Sequence, residues 1–410
     1  MSRTLESACS GQDAATFMNN PGAMGKRSLR ILSVYDCVYP ESLGGIEHRN
    51  LEMAAALARR GHQVTLAGWA AAPSSPFPGV TVRPLSYRTH LYNRAGKRRM
   101  TAALRLSAAM VFVELDGFDL VETANVPYLH LFPLALRCRL RRTPLVVSWY
   151  EHWGRYWADY LGSWKWPLFA AVEWLAAQLG RNVNAVSALT AERLTRARLA
   201  AGEIAILPSG IPIASIQEAS TQNKDGPPLV YAGRLMAEKR IDLLLRAVAR
   251  LASSTQGELL KIIGDGPDRD RLEKLAVELG IEPQVRFFGQ LPNSKSVWRE
   301  LGRSLVAVQP SSREGFGLFP LEAMAAGLPV VCCDSAESAV PELVRNEQEG
   351  LVCQATPASL ASALERLLSC PSLAARLEHN ARRRASEYDW DHIGERVESL
   401  SYQWLAAKPT

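Results

Sequence analysis

Two series of short apolar runs alternate with longer stretches of helical periodicity. In the first, Arg30–Tyr35, Gln63–Ala67, Leu120–Glu122, Pro144–Trp149 and Asn184–Ser187 read as strands. From about Glu47 to Arg60, Leu51, Met53, Ala54, Leu57 and Ala58 recur on one helical face, and Gly61 ends that helix. In the second, Leu229–Ala232, Leu260–Ile263, Val285–Phe288, Leu305–Gln309 and Val330–Cys333 read as strands. The helix after Glu238 carries Ile241, Leu244, Leu245, Val248 and Leu251, a stripe that predicts a core face. Such alternation predicts an α/β protein with two doubly wound parallel sheets, each covered on both faces. A ligand is then expected in the cleft between the domains, where the strands end.

At 410 residues the chain suits two domains better than one. The expected division is a disordered tail over 1–28, a first Rossmann-like domain over 29–207, a linker over 208–228, a second Rossmann-like domain over 229–388, and a bracing helix and tail over 389–410. The linker rests on Ser215–Pro228, rich in Gln, Ser, Asn, Lys and Pro. Seven cysteines form no CxxC pair, which argues against a disulfide framework or zinc site and suits a reducing cytoplasm. No run of about 18 apolar residues occurs, so no spanning helix is expected. Residues 1–205 hold 24 Lys and Arg against 15 Asp and Glu, whereas the remainder holds 23 against 26. The basic half favours an anionic partner, such as a phosphorylated acceptor, a lipid pyrophosphate or an acidic membrane face.

The chemistry concentrates after residue 229. Glu314-Gly315-Phe316-Gly317-Leu318-Phe319-Pro320-Leu321-Glu322 sets two carboxylates eight residues apart across a glycine-rich turn that opens a helix. Pro320 is expected at the first helical position, with Glu322 in the first turn and Gly327 and Pro329 closing the helix. Free amides at that helix start suit a diphosphate. A carboxylate there repels one, so Glu322 is better suited to sugar or ribose hydroxyls. Strand 229–232 runs into Gly233-Arg234 and then Glu238-Lys239, which aims a guanidinium and an ammonium at the same crevice. Gly264-Asp265-Gly266-Pro267 is a second glycine-rich strand end, without the Gly-Lys-Ser/Thr of a P-loop. Asp268-Arg269-Asp270 and Asp389-Trp390-Asp391 have DxD spelling, but neither ends a strand and no metal is assigned.

These segments resemble family 4 (group 1) retaining glycosyltransferases of the GT-B fold, two Rossmann-like domains facing each other across a cleft with a C-terminal helix bracing the lobes. The family's AGRL..EK, GDGP and EGFG...LEAMA.GLPVV elements match Ala232–Lys239, Gly264–Pro267 and Glu314–Val331, and Gly44-Gly45-Ile46-Glu47-His48 matches its N-terminal loop. The resemblance implies a donor diphosphate held by Arg234 and Lys239, Glu322 on the ribose and Glu314 on the donor sugar. Gly44, Gly45 and the backbone of Gly315, Phe316, Gly317 and Leu318 complete the cradle, with Gly233, Gly264, Asp265 and Gly266 beside it. It also implies retention of anomeric configuration, no metal or other cofactor, and a UDP- or GDP-sugar donor.

The chain departs from the pattern in places. Where the family carries a histidine after the fifth strand, Trp149-Tyr150-Glu151-His152-Trp153-Gly154 puts Tyr150, with His152 two residues on. Either His152 reaches the donor sugar, or Tyr150 and Glu151 take over polar contacts near the reacting carbon; Glu151 and His152 are the candidates retained. Pro208–Pro212 and Ser338–Glu342 also differ from the family spelling. Between Trp149 and Trp166 lie eight aromatic residues, a density that suits either an acceptor platform or core packing. Arg94, Lys97, Arg98, Arg99 and Arg105 fall on an expected helix that continues apolar to Val113, a pattern of peripheral attachment to an anionic membrane.

The expected activity is transfer of a hexose-type residue from a nucleotide diphosphate sugar to a hydroxyl of a glycan or lipid-linked acceptor. A nucleotide-sugar epimerase or hydrolase, or a non-catalytic nucleotide-sugar-binding module, are the alternatives. Scattered basic residues without a docking motif argue against nucleic acid.

Overall fold

The computed structural model describes residues 27–39, 41, 45–85, 99–162, 164–198, 204–221, 223–251 and 257–406. The expected tail therefore lies outside the described residues up to residue 26, as do Gly44, Arg94, Lys97 and Arg98.

Among the described residues, fourteen strands form two sheets. The N-terminal lobe contains β1 (Arg30–Cys37), β2 (Gln63–Trp69), β3 (Ser74–Phe77), β4 (Val80–Pro84), β5 (Leu120–Ala124), β6 (Leu145–Trp149), β7 (Asn182–Ala185) and β8 (Ile204–Ile206). Their order is β3-β4-β2-β1-β5-β6-β7-β8, parallel except where β3 meets β4. The C-terminal lobe contains β9 (Leu229–Ala232), β10 (Leu260–Ile263), β11 (Val285–Gly289), β12 (Val306–Gln309), β13 (Val330–Cys333) and β14 (Gly350–Cys353), in the all-parallel order β11-β10-β9-β12-β13-β14. Both sheets reverse direction of growth beside their first strand, at β1/β5 and β9/β12, and open a crevice there.

Alternation along β1 sorts the packing. Leu32 and Val34 face a core completed by the helices Met100–Phe112, Leu131–Arg141 and Trp166–Ala177, through Leu106, Leu131, Leu134 and Ala176. Ile31 faces the opposite core, made by Met53 and Leu57 of the helix Gly45–Arg59 and by Trp390, Ile393 and Val397 of the last helix, Trp390–Ala406. In the C-terminal lobe the predicted stripe of Ile241, Leu244, Leu245, Val248 and Leu251 lies on the helix Ile241–Leu251 and is buried throughout. The linker region contains a short helix, Ile213–Ala219, whose Ile216 enters that core.

The last helix returns to the N-terminal lobe. Arg60 donates to Glu398 at 2.6 Å, Arg396 to the Ile206 carbonyl at 2.8 Å, and Tyr402 to the Arg27 carbonyl at 2.6 Å. At the hinge, Ile211 pairs as a bridge with Asp389 and Trp390 packs on Gly210.

Candidate functional site

The site lies at the C-terminal ends of β9 and β12, where the sheet reverses, and under the loop that follows β6. The turns leaving β9 and β10 are stitched together by bonds from Gly233 N to Ile263 O, Leu235 N to Asp265 O and Asp268 N to Leu235 O. They approach so closely that a Cβ on Gly264 would stand 2.0 Å from the Gly233 carbonyl oxygen, with φ of +127° at Gly264 and +155° at Gly233. Only glycine meets both demands. Arg234 emerges exposed from this turn, its carbonyl fixed by the Tyr231 hydroxyl at 3.2 Å.

Lys239 ends a 3-10 turn, Ala237–Lys239, and the Glu238 carbonyl accepts from Ser312 N at 2.9 Å. That bond joins the β9 loop to the loop after β12. Lys239 Nζ donates to Glu314 Oε1 at 2.5 Å, and Gln309 Nε2 donates to the same oxygen at 2.6 Å. Glu314 is thus already held by a cation and an amide. Phe316 packs against Tyr388, and Leu318 faces Gly45 across the lobes.

The following helix differs from expectation at its start. It runs Leu318–Ala325 with Gly317 at its cap, so Pro320 is its third residue and Glu322 its fifth, in the second turn. A positive φ at Gly317 lets the backbone turn in earlier than the proline spelling suggests. Burial pushes the Glu322 carboxyl up to about 7, moderated by the Trp298 indole. Asp265 is exposed and accepts from Gly266 N at 2.7 Å, a turn-forming contact.

From the N-terminal lobe comes the segment after β6. Asn125, at the end of β5, accepts from Tyr150 N at 3.3 Å and donates to the Glu151 carbonyl at 3.2 Å. Beneath it, fully buried Glu173 accepts from Tyr128 Oη at 2.8 Å, Trp153 N at 2.8 Å, Gly154 N at 2.7 Å and Trp157 Nε1 at 3.1 Å. A carboxylate with four donors is a strong local organiser. His152 lies with Nε2 4.0 Å from Glu173 Oε2, and burial lowers its basicity.

Of the three candidates after β6, Glu151 reaches furthest toward the other lobe. It accepts from the Trp153 indole at 2.8 Å and pairs with Arg313 Nε, while Glu314 and Lys239 lie within its electrostatic field. Burial raises its carboxyl above the ordinary range and Arg313 opposes that rise. Tyr150 instead turns into its own lobe. Its hydroxyl accepts from Arg49 at 2.9 Å, and burial pushes it up to about 12.

Arg313 ties the lobes together. It pairs with Glu337 at 2.7 Å, donates to the His152 carbonyl at 3.2 Å and lies 4.2 Å over the Tyr156 ring. Close by, Glu342 accepts from Ala188 N at 2.9 Å and Leu189 N at 2.7 Å, capping a helix of the opposite lobe, Ala188–Ala197. A Cβ on Gly315 would fall 2.0 Å from the Tyr150 carbonyl oxygen, so the lobes touch backbone to backbone.

The sequence reading did not anticipate Arg49, Asn125, Glu173 or Arg313. Glu173 had a signal, as the one charge in the otherwise apolar helix Trp166–Ala177. The aromatic run is mostly packing: Trp149 and Trp157 are buried and Trp153, Tyr156 and Tyr160 stack together, while Trp164 alone is largely exposed.

A family model described as "Glycosyl transferases group 1" matches residues 213–384, and one described as "Glycosyltransferase Family 4" matches residues 43–215. Glycogen synthase of Mycobacterium tuberculosis is 28% identical over 401 residues, covering 93% of this chain and 95% of its own. Sucrose-phosphate synthase from Thermosynechococcus elongatus superposes with a TM-score of 0.75 at 22% identity, over 93% of this chain and 100% of that one. Anabaena HepE, solved in complex with UDP and glucose, does so with a TM-score of 0.68 at 19% identity, over 91% of this chain and 100% of that one. The paired sheets, the interlobe crevice and the two adjoining family matches lead to one conclusion: the chain is a glycosyltransferase of family 4 (group 1), with the GT-B fold.

Proposed function

We propose that the chain is a retaining, metal-independent hexosyltransferase that moves a hexose-type residue from a UDP- or GDP-sugar to a hydroxyl of a glycan or lipid-linked acceptor. The observation that carries the reading is the meeting of Lys239, Glu314 and Glu151 between the lobes. The similarity to a glycogen synthase supports transfer onto a glycan, and the likeness to a fold that holds UDP and glucose supports a nucleotide donor.

In the proposed reaction the bond from the anomeric carbon to the diphosphate oxygen breaks, and its electron pair stays on the phosphate. Arg234 and Lys239 stand ready for that growing charge, which lowers the barrier without a divalent ion. The acceptor oxygen bonds the anomeric carbon from the face the phosphate leaves, and its proton passes to the departing phosphate oxygen. Glu314 accepts from donor sugar hydroxyls, Glu322 from the ribose, and Glu151 or His152 borders the reacting carbon.

The test is transfer from UDP- and GDP-hexoses to glycan acceptors, with the anomeric configuration of the product read by NMR and chelator present in one arm. Retained configuration and chelator-insensitive turnover are expected. An inverted product or loss of turnover on chelation overturns that part of the reading. Donor consumption without transfer would mark a hydrolase, and donor binding without turnover a binding module.

A further inference from the structure

The helices Met100–Phe112, Leu131–Arg141 and Trp166–Ala177 form one layer on the N-terminal sheet. Their inner sides fill the core, and their outer sides are apolar as well. Of the 14 large hydrophobic side chains exposed among the described residues, 10 fall between Met100 and Leu175, far more than scattered surface residues would give. Met100, Leu104 and Val111 share one outward stripe, and Phe112 at the helix end is 84% exposed. On the neighbouring helix Leu136 and Leu140 are 59% and 74% exposed, and Trp164, before the third helix, is 85% exposed.

The charges on the helices of this layer are basic at the surface, with Asp116, just past the first helix, paired to Arg141 at the rim. Its helices carry Arg105, Arg137, Arg139 and Arg141, and their sole carboxylate, Glu173, is fully buried beneath the active-site loop. Lys165 sits 5.9 Å from the Trp164 ring at the edge of the layer. A second copy of the chain would set arginine against arginine here. A bilayer with anionic headgroups complements both features, taking the aliphatic and indole groups into the headgroup boundary and the guanidinium groups onto lipid phosphates.

We infer that this three-helix face docks on an anionic lipid bilayer. It is a surface attachment, since no helix among the described residues is long and apolar enough to cross a membrane. The inference is independent of the donor and acceptor proposed above, because it rests on a surface away from Lys239 and Glu314.

The test is flotation of the full-length chain with vesicles of phosphatidylcholine alone and of phosphatidylcholine mixed with phosphatidylglycerol. Binding only to the anionic vesicles, weakened by salt, is expected. The pair Leu136→Glu and Leu140→Glu should reduce binding by more than about tenfold. The pair Arg105→Glu and Arg139→Glu should cost about fivefold for each arginine. Both variants should keep the wild-type circular dichroism spectrum and full transfer to a water-soluble acceptor. A wild-type chain that stays unbound, or variants that float as well as the parent, would overturn the inference. So would a dimer in solution that the leucine variants break while no vesicle binding occurs, which would make the face a contact between copies.

Discussion

Lys239 and Glu314, 75 residues apart, form a 2.5 Å ion pair between the loops that leave β9 and β12. The lysine proposed for the donor diphosphate is therefore engaged by the acid proposed for the donor sugar. Donor phosphate would draw the ammonium away and free a carboxylate oxygen for a sugar hydroxyl, so filling one half of the site prepares the other. Lys239→Ala should lower kcat by roughly 10²–10³-fold, in line with loss of one charge-stabilising group, with an unchanged circular dichroism spectrum. Wild-type turnover in that variant would remove Lys239 from the machinery.

Glu322 gives a pH dependence with a definite sign. Its carboxyl is raised from 4.5 to about 7, so between those values the folded chain binds a proton that the unfolded chain releases. This contribution to stability is complete below the lower value and is lost as pH rises through the upper one. Donor affinity should move the opposite way, improving as the carboxylate forms and can accept from ribose hydroxyls. Calorimetric titration with donor across this range should show the trend in the wild type and a flat profile in Glu322→Gln.

Glu173 acts on the reaction through the Glu151–Gly154 loop. Glu173→Ala leaves two backbone amides, a phenol and an indole without their acceptor, a loss of roughly 3 kcal/mol or more. Glu173→Gln keeps the volume and one acceptor oxygen. It should unfold within a few degrees of the parent yet lose about tenfold in kcat at nearly constant donor KM. Equal kcat in Glu173→Gln and wild type would confine the residue to a structural part.

Gly315→Ala tests the closeness of the lobes. Its added methyl meets the Tyr150 carbonyl at 2.0 Å, where neither backbone can yield without separating the halves. Turnover should drop by more than about a hundredfold, while isolated donor binding to the C-terminal lobe is largely kept. Small-angle scattering should show a wider molecule.

Much of this was legible in the chain. The strands at 229–232, 260–263 and 330–333 match their predicted limits, because short apolar runs end in glycine or aspartate punctuation. β3, β4, β8 and β14 escaped notice; β3 and β4 mix polarities at and beside one edge of the first sheet, and β8 and β14 span three and four residues. The helix Ile213–Ala219 hid in a polar stretch, since one buried residue, Ile216, suffices to anchor it. Lys239 and Glu314 were visible as motif residues. Arg313 and Asn125 were not, because their importance comes from partners across the fold: the Glu151 side chain and the His152 carbonyl for the first, the Tyr150–Glu151 backbone for the second. Tyr150 could be located by spelling, but only Arg49 explains which way its ring turns.

The closing helix has a consequence for how the halves depend on each other. Trp390, Ile393 and Val397 come after the whole C-terminal sheet in the chain, yet they complete the core that contains β1. Ending translation at residue 388 would leave the later-made half with its sheet and helices whole and strip the earlier-made half of one wall. The N-terminal lobe thus cannot finish folding on the ribosome before the C-terminal lobe has emerged, and assembly of the cleft is the final event rather than the docking of two finished parts.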